Sequence, residues 1–74
     1  MPQSDAERIE KAVIERLRAE RKKQGLSYEK LAVKAGLHRT AISFIERGVN
    51  HPSLLNCLKL AGALGISLRD LLRG

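Results

Sequence analysis

Aromatic residues are nearly missing from this 74-residue chain, which has one Tyr, one Phe and no Trp. Its core must therefore be aliphatic, built from Leu, Ile, Val and Ala. A single cysteine, Cys57, excludes an internal disulfide and a thiolate metal cluster. It reads most simply as a small apolar residue, with a disulfide across a dimer as the alternative. Two histidines, His38 and His51, lack the company that a structural zinc site needs. No apolar run approaches the ~20 residues of a membrane span. The opening MPQSDAERIEK has no hydrophobic segment of the secretory kind, so a reducing cytoplasm is the expected setting. The length allows one domain, residues 1–74. A chain this short buries only about 60% of its unfolded surface, so a partner subunit would help it.

Positive charge is abundant, and its placement is more informative than its total. The net charge is +6, from 14 Lys and Arg against 8 Asp and Glu. Residues 1–15 carry two basic against four acidic side chains. Residues 16–51 carry nine basic side chains against Glu20, Glu29 and Glu46, a surplus of six. The surplus lies mid-chain, where a phosphate-facing surface would need it, although a merely solvated basic face would look the same.

Punctuation divides the chain into five helices, with no strand signal, repeat or low-complexity stretch to compete. Ser4-x-x-Glu7 reads as a capping box opening a helix from about Asp5 to Gln24, closed by Gly25. Ser27 caps a short second helix ending near Ala35, with Gly36 after it. A third covers about His38 to Arg47 and stops at Gly48, before the loop Val49-Asn50-His51-Pro52. Ser53 caps a fourth, for which Leu54, Leu58, Ala61 and Leu64 are the expected buried face. Ser67 caps the last, with Asp70 favouring the positive end of its dipole.

Two short helices joined at Gly36 have the local pattern of a helix-turn-helix, over about residues 27–47. Leu31, Ala32 and Ala35 face the same way as Ile42 and Ile45, and the small Ala32 permits close approach. At about 100° per residue, Ile42, Ile45 and His38 share one side of the third helix. Thr40, Ser43, Phe44 and Arg47 lie opposite, with Arg39 on the flank. That short, mostly polar surface suits a helix lying in a major groove. Arg21 continues the apolar row Ile9, Val13, Leu17, where a lone charge would be expensive. Glu46, on the core-side edge of the third helix, is its expected partner. Two independently solvated charges are the alternative.

The stretch GLSYEKLAVKAGLHRTAISFIERG, residues 25–48, closely resembles the phage-repressor and Cro-like helix-turn-helix family, also called Xre-type. PSLLNCLKLAGALGISLRDLL, residues 52–72, is similar to that family's fourth and fifth helices. The pattern is met together at Leu31-Ala32, Ala35-Gly36, Ile42, Ile45-Glu46, Gly48, Pro52, Ala61 and Leu64-Gly65. Gly36-Leu37-His38-Arg39-Thr40 adds a similarity to controller proteins of restriction–modification systems. The resemblance implies an all-α, lambda-repressor-like bundle of five short helices. It implies a sequence-specific regulator of transcription, bound to double-stranded DNA as a homodimer on a near-palindromic operator. RNA polymerase is the further candidate partner, and the nucleoid the implied place of action.

By the same resemblance, base-reading positions map onto Arg39, Thr40, Ser43 and Phe44. Phosphate-contacting positions map onto Ser27, Tyr28, His38, Arg47, Asn50 and His51, and the family's Arg–Glu bridge onto Arg21 and Glu46. Many members carry a polar residue where this chain has Phe44, whose ring offers no hydrogen-bonding group for readout there. Arg39 has the donors for O6 and N7 of a guanine, and a phosphate contact is its alternative. Phe44 suits either a thymine methyl or packing within the fold. Ile66, Leu68, Leu71 and Leu72 are too many for one short helix to hide, so they are the expected dimer interface.

Three other classes of function compete. A protein-interaction module of the same fold, such as an antitoxin, is the main alternative, and the basic segment argues against it. A membrane-surface role for the first helix is opposed by its narrow apolar stripe without aromatics. Catalysis is rejected: no nucleophile–base grouping, phosphate-binding glycine loop or metal cluster is present. No cofactor or metal is expected.

Overall fold

Serine side chains open three of the helices in the computed structural model, which describes residues 2–73. The described residues form five helices: α1 Gln3–Lys23, α2 Tyr28–Ala35, α3 Arg39–Glu46, α4 Leu54–Leu64 and α5 Leu68–Arg73. The Ser27 hydroxyl accepts from the Lys30 N–H at 3.1 Å, Ser53 from Asn56 at 3.0 Å and Ser67 from Asp70 at 3.2 Å. Each satisfies an N–H that the first helical turn leaves without a backbone partner. The capping box expected at Ser4 is absent. The helix starts earlier, because the Pro2 carbonyl accepts from the N–H groups of Asp5 and Ala6 at 3.0 and 3.1 Å, and Ser4 lies inside the first turn.

Glycine ends α2 and α4. Gly36 has φ +70° and Gly65 φ +76°, the left-handed region in which a Cβ is strained. Beyond Gly36, the Leu37 N–H returns to the Ala32 carbonyl at 3.0 Å, turning the chain into α3. The result is an all-α bundle with a central helix-turn-helix.

At about 1.5 Å per residue, the 21 residues of α1 span about 31 Å and set the long dimension of a body measuring 35 × 24 × 19 Å. α1 lies across α3, α4 and α5, while α2 packs on both α3 and α4. Every helix contributes to one core: Val13 and Leu17, Leu31, Ala32 and Ala35, Ile42 and Ile45, Cys57, Leu60, Ala61 and Leu64, and Leu71, with Ile66 from the last turn. Burying each large aliphatic side chain is worth about 1.5–3 kcal/mol.

The packing corrects two expectations. α4 buries Cys57, Leu60, Ala61 and Leu64, and leaves Leu54 and Leu58 exposed. Leu58 is rotated by roughly 100° from the mean direction of the buried four, at about 100° per residue, so it cannot share their face. The expected dimer residues also divide. Ile66 and Leu71 are only 7% and 2% exposed and belong to the subunit's own core, whereas Leu68 and Leu72 are 48% and 57% exposed. Gly65 directs Ile66 back under α4, where its N–H meets the Ala61 carbonyl at 2.9 Å. No described helix is long and apolar enough to cross a membrane.

Candidate nucleic-acid interface

The third helix is held from behind by its apolar side. Ile42 and Ile45 are buried, which turns Arg39, Thr40 and Ser43 away from the core. Tyr28, from the first turn of α2, joins these three around a shallow hollow of about 340 Å³. Arg39 and Thr40 are exposed, while Ser43, Phe44 and Tyr28 are half-buried. The Phe44 carbonyl accepts from the Val49 N–H at 2.9 Å, closing the loop after α3. His38, placed with Ile42 and Ile45 by helical spacing, is instead exposed at the N-cap of α3 with no capping bond from its side chain. It precedes the helical turn, so the 100° rotation does not govern it.

Arg21 and Glu46 lock the rear of this surface. The Arg21 Nε donates to Glu46 Oε2 at 2.7 Å and Nη2 to Oε1 at 2.9 Å, while Nη1 donates to the Leu26 carbonyl at 2.8 Å. Their side chains are 12% and 7% exposed. The Arg21 guanidinium lies 4.6 Å from the centre of the Tyr28 ring. Hydrogen bonding to Glu46 raises the Arg21 pKa above its ordinary value, so the guanidinium stays charged. The same guanidinium thus connects α1, the turn before α2 and the end of α3. It also supports Tyr28 beneath the hollow.

The remaining anticipated contacts are spread more widely. Arg47, the C-cap of α3, lines a second hollow with Glu46 of α3 and with Glu10, Lys11, Glu15 and Arg18 of α1. Asn50 is exposed in the loop. His51 is drawn to α1, its Nδ1 2.7 Å from Glu10 Oε1, and this bond raises its pKa above the ordinary histidine value. The Ser27 hydroxyl oxygen already accepts the capping bond. Burial pushes the Cys57 thiol up, so it packs as a neutral group.

Three polar links escaped the sequence reading. Arg39 Nη1 donates to Glu29 Oε1 at 2.6 Å, Glu10 meets His51, and Gln24 Nε2 donates to the Leu64 carbonyl at 2.7 Å. Glu29 had one signal, its place in the first turn after a serine cap; the other partners lie 40 and 41 residues away in sequence.

Fold, central motif and outward face together define a helix-turn-helix protein. The family described as Helix-turn-helix matches residues 17–71, and the chain belongs to it, in its Xre-type branch. A control protein, C.BamHI of Bacillus amyloliquefaciens, is 52% identical over 50 residues, 68% of this chain and 62% of that protein. The chain therefore matches less than two thirds of that relative's length. An uncharacterized HTH-type transcriptional regulator of Archaeoglobus fulgidus is 39% identical over 76% of this chain and 80% of its own length. Among solved structures, the restriction–modification controller protein C.AhdI from Aeromonas hydrophila superposes with a TM-score of 0.74. It is 47% identical over 81% of this chain and 91% of that one.

Proposed function

We propose that this protein is a transcription regulator that reads double-stranded DNA with α3, acting as a homodimer in the manner of a restriction–modification controller protein. The observation that carries this reading is the outward surface of Arg39, Thr40 and Ser43, gathered around one hollow with Tyr28. It lies within the segment that holds the chain's positive surplus, residues 16–51. Arg39 is the reader of a base edge, with Thr40, Ser43 and Phe44 beside it. Ser27, Tyr28, His38, Arg47, Asn50 and His51 are the candidate phosphate contacts that set its register. The whole chain, residues 1–74, acts as one binding unit without catalysis, a metal or a cofactor, and RNA polymerase is its partner at a promoter. The setting is the cytoplasm, on the nucleoid.

Leu68 and Leu72 supply the dimer contact, together with Leu54, which joins them around an apolar hollow where α1, α4 and α5 meet. A twofold axis there would present two copies of α3 to successive major grooves about 34 Å apart, matching a near-palindromic site. Sequences selected from a random DNA pool test this directly, and two half-sites one helical turn apart are expected. On the selected duplex, four phosphates per subunit give a slope of log K against log salt of about −7. A slope near zero removes the DNA-binding reading. Retention of a non-nucleic-acid protein partner by a chain that shifts no duplex at low salt would favour the antitoxin-like alternative.

A further inference from the structure

The basic segment 16–51 contains three acids, and Glu29 stands out among them. Glu46 is committed to the partly buried bridge with Arg21. Glu29, by contrast, is exposed on α2 beside the hollow, where a carboxylate repels the phosphates of any bound nucleic acid. An exposed ion pair contributes little to stability, and a carboxylate in the first turn of α2 gains only modestly from the helix dipole, so the fold alone gives a small reason for this charge. Its contact supplies another: Glu29 Oε1 takes a bond from Nη1 of Arg39 at 2.6 Å, across ten residues and between two different helices.

We infer that Glu29 is a positioning residue that determines specificity, holding the Arg39 guanidinium in one orientation at the hollow so that it reads a base edge instead of gripping the nearest phosphate. The inference rests on the DNA-binding reading above. A guanidinium has five N–H donors in a rigid plane. One is used on Glu29, and enough remain for bidentate recognition of guanine O6 and N7. A free arginine would have to be immobilised on binding, whereas this one is already held in the unbound protein. The carboxylate also opposes the competing use of Arg39 as a phosphate contact, since a phosphate brought to that guanidinium would approach Glu29 as well. Glu29 itself lies in the first turn of α2. The bond from Arg39, followed by its own backbone N–H, favours its charged form and lowers its pKa below the ordinary carboxylate value.

The test measures affinity of the full chain for a selected duplex and for a scrambled one. The variants are Glu29→Gln, Glu29→Asp, Arg39→Ala and the double Glu29→Gln/Arg39→Ala, with thermal melts confirming that each is folded. Glu29→Gln should bind the scrambled duplex several-fold more tightly, having lost a negative charge, yet gain little or lose on the selected one. The ratio of the two affinities should fall about tenfold, within the range set by one good base contact. Glu29→Asp keeps the charge but withdraws the carboxylate by one methylene from the position that holds Arg39, so its ratio should also fall. With Arg39 already replaced, Glu29→Gln should leave the ratio unchanged. A Glu29→Gln protein that binds both duplexes more tightly by the same factor overturns the inference, because Glu29 would then act only as background charge. Failure of the unmodified protein to bind any duplex removes the DNA-binding reading and this inference with it.

Discussion

Removing Glu46 tests the physical account of this fold most severely. In Glu46→Ala, Arg21 loses two charge-assisted bonds at 2.7 and 2.9 Å and keeps only the Leu26 carbonyl and the face of Tyr28. A guanidinium 12% exposed is then left without a counter-charge. Breaking a fully buried pair costs about 3–5 kcal/mol, and residual solvent access lowers this to roughly 2–4 kcal/mol. The opposite variant, Arg21→Ala, leaves Glu46 with Arg18 at 3.8 Å, whose side chain is half exposed and free to close in. Its loss therefore comes as much from the Leu26 bond and the Tyr28 contact as from the charge. The double variant Arg21→Ala/Glu46→Ala should lose less than the two single replacements summed, since neither partner is left alone. A 74-residue chain has about 4–11 kcal/mol of total stability, so each single variant removes a large share. At about 4–8 °C per kcal/mol, the midpoint should fall by roughly 8–32 °C. Circular dichroism melts at one fixed protein concentration measure this, because dimerisation would otherwise shift the midpoint. Losses below about 1 kcal/mol that simply add would refute the reasoning and mean that both charges are effectively solvated.

Three further outcomes follow. Arg39→Ala should lose about 1–3 kcal/mol on the selected duplex and relax one base preference per half-site, whereas Arg47→Ala should weaken selected and scrambled duplexes alike; equal losses for Arg39→Ala on both would make it a backbone contact. Leu72→Glu should keep its helicity but lower both the sedimenting mass and the affinity for the palindromic site, while Leu71→Ala, at a position 2% exposed, should destabilise the subunit itself by about 2–5 kcal/mol; an unchanged dimer mass for Leu72→Glu would move the interface elsewhere. His51 should titrate above its ordinary value of about 6.5, and Glu10→Gln should bring it down, as followed by imidazole proton shifts. Because folding raises this pKa, the stabilisation from the pair is complete below the unfolded value and fades as pH rises through the folded one. No change in the His51 titration on replacing Glu10 would show that the two are not paired in solution.

Short-range order was legible in the amino acids. Ser27, Ser53 and Ser67 each cap an N–H three residues on, and Gly36 and Gly65 close helices in a left-handed backbone conformation that glycine adopts without strain. Such interactions are complete within one turn, so they need no knowledge of the rest of the chain. Even there, the helix opened two residues before Ser4, at Pro2, whose carbonyl accepts from Asp5 and Ala6. The row Ile9, Val13, Leu17, Arg21 likewise marked one charge as standing among apolar neighbours, though the row itself carries no distance. Tertiary packing decided the remainder. α4 had several leucines and two plausible faces, and the choice of Cys57 and Leu60 over Leu54 and Leu58 depends on the angle at which α1 and α2 lie against it. The division of α5 into a buried Leu71 and exposed Leu68 and Leu72 has the same origin. Glu29 with Arg39, Gln24 with Leu64 and Glu10 with His51 meet across 10, 40 and 41 residues. Helical periodicity fixes directions within one helix but not between helices, so those pairings exist only once the bundle has closed.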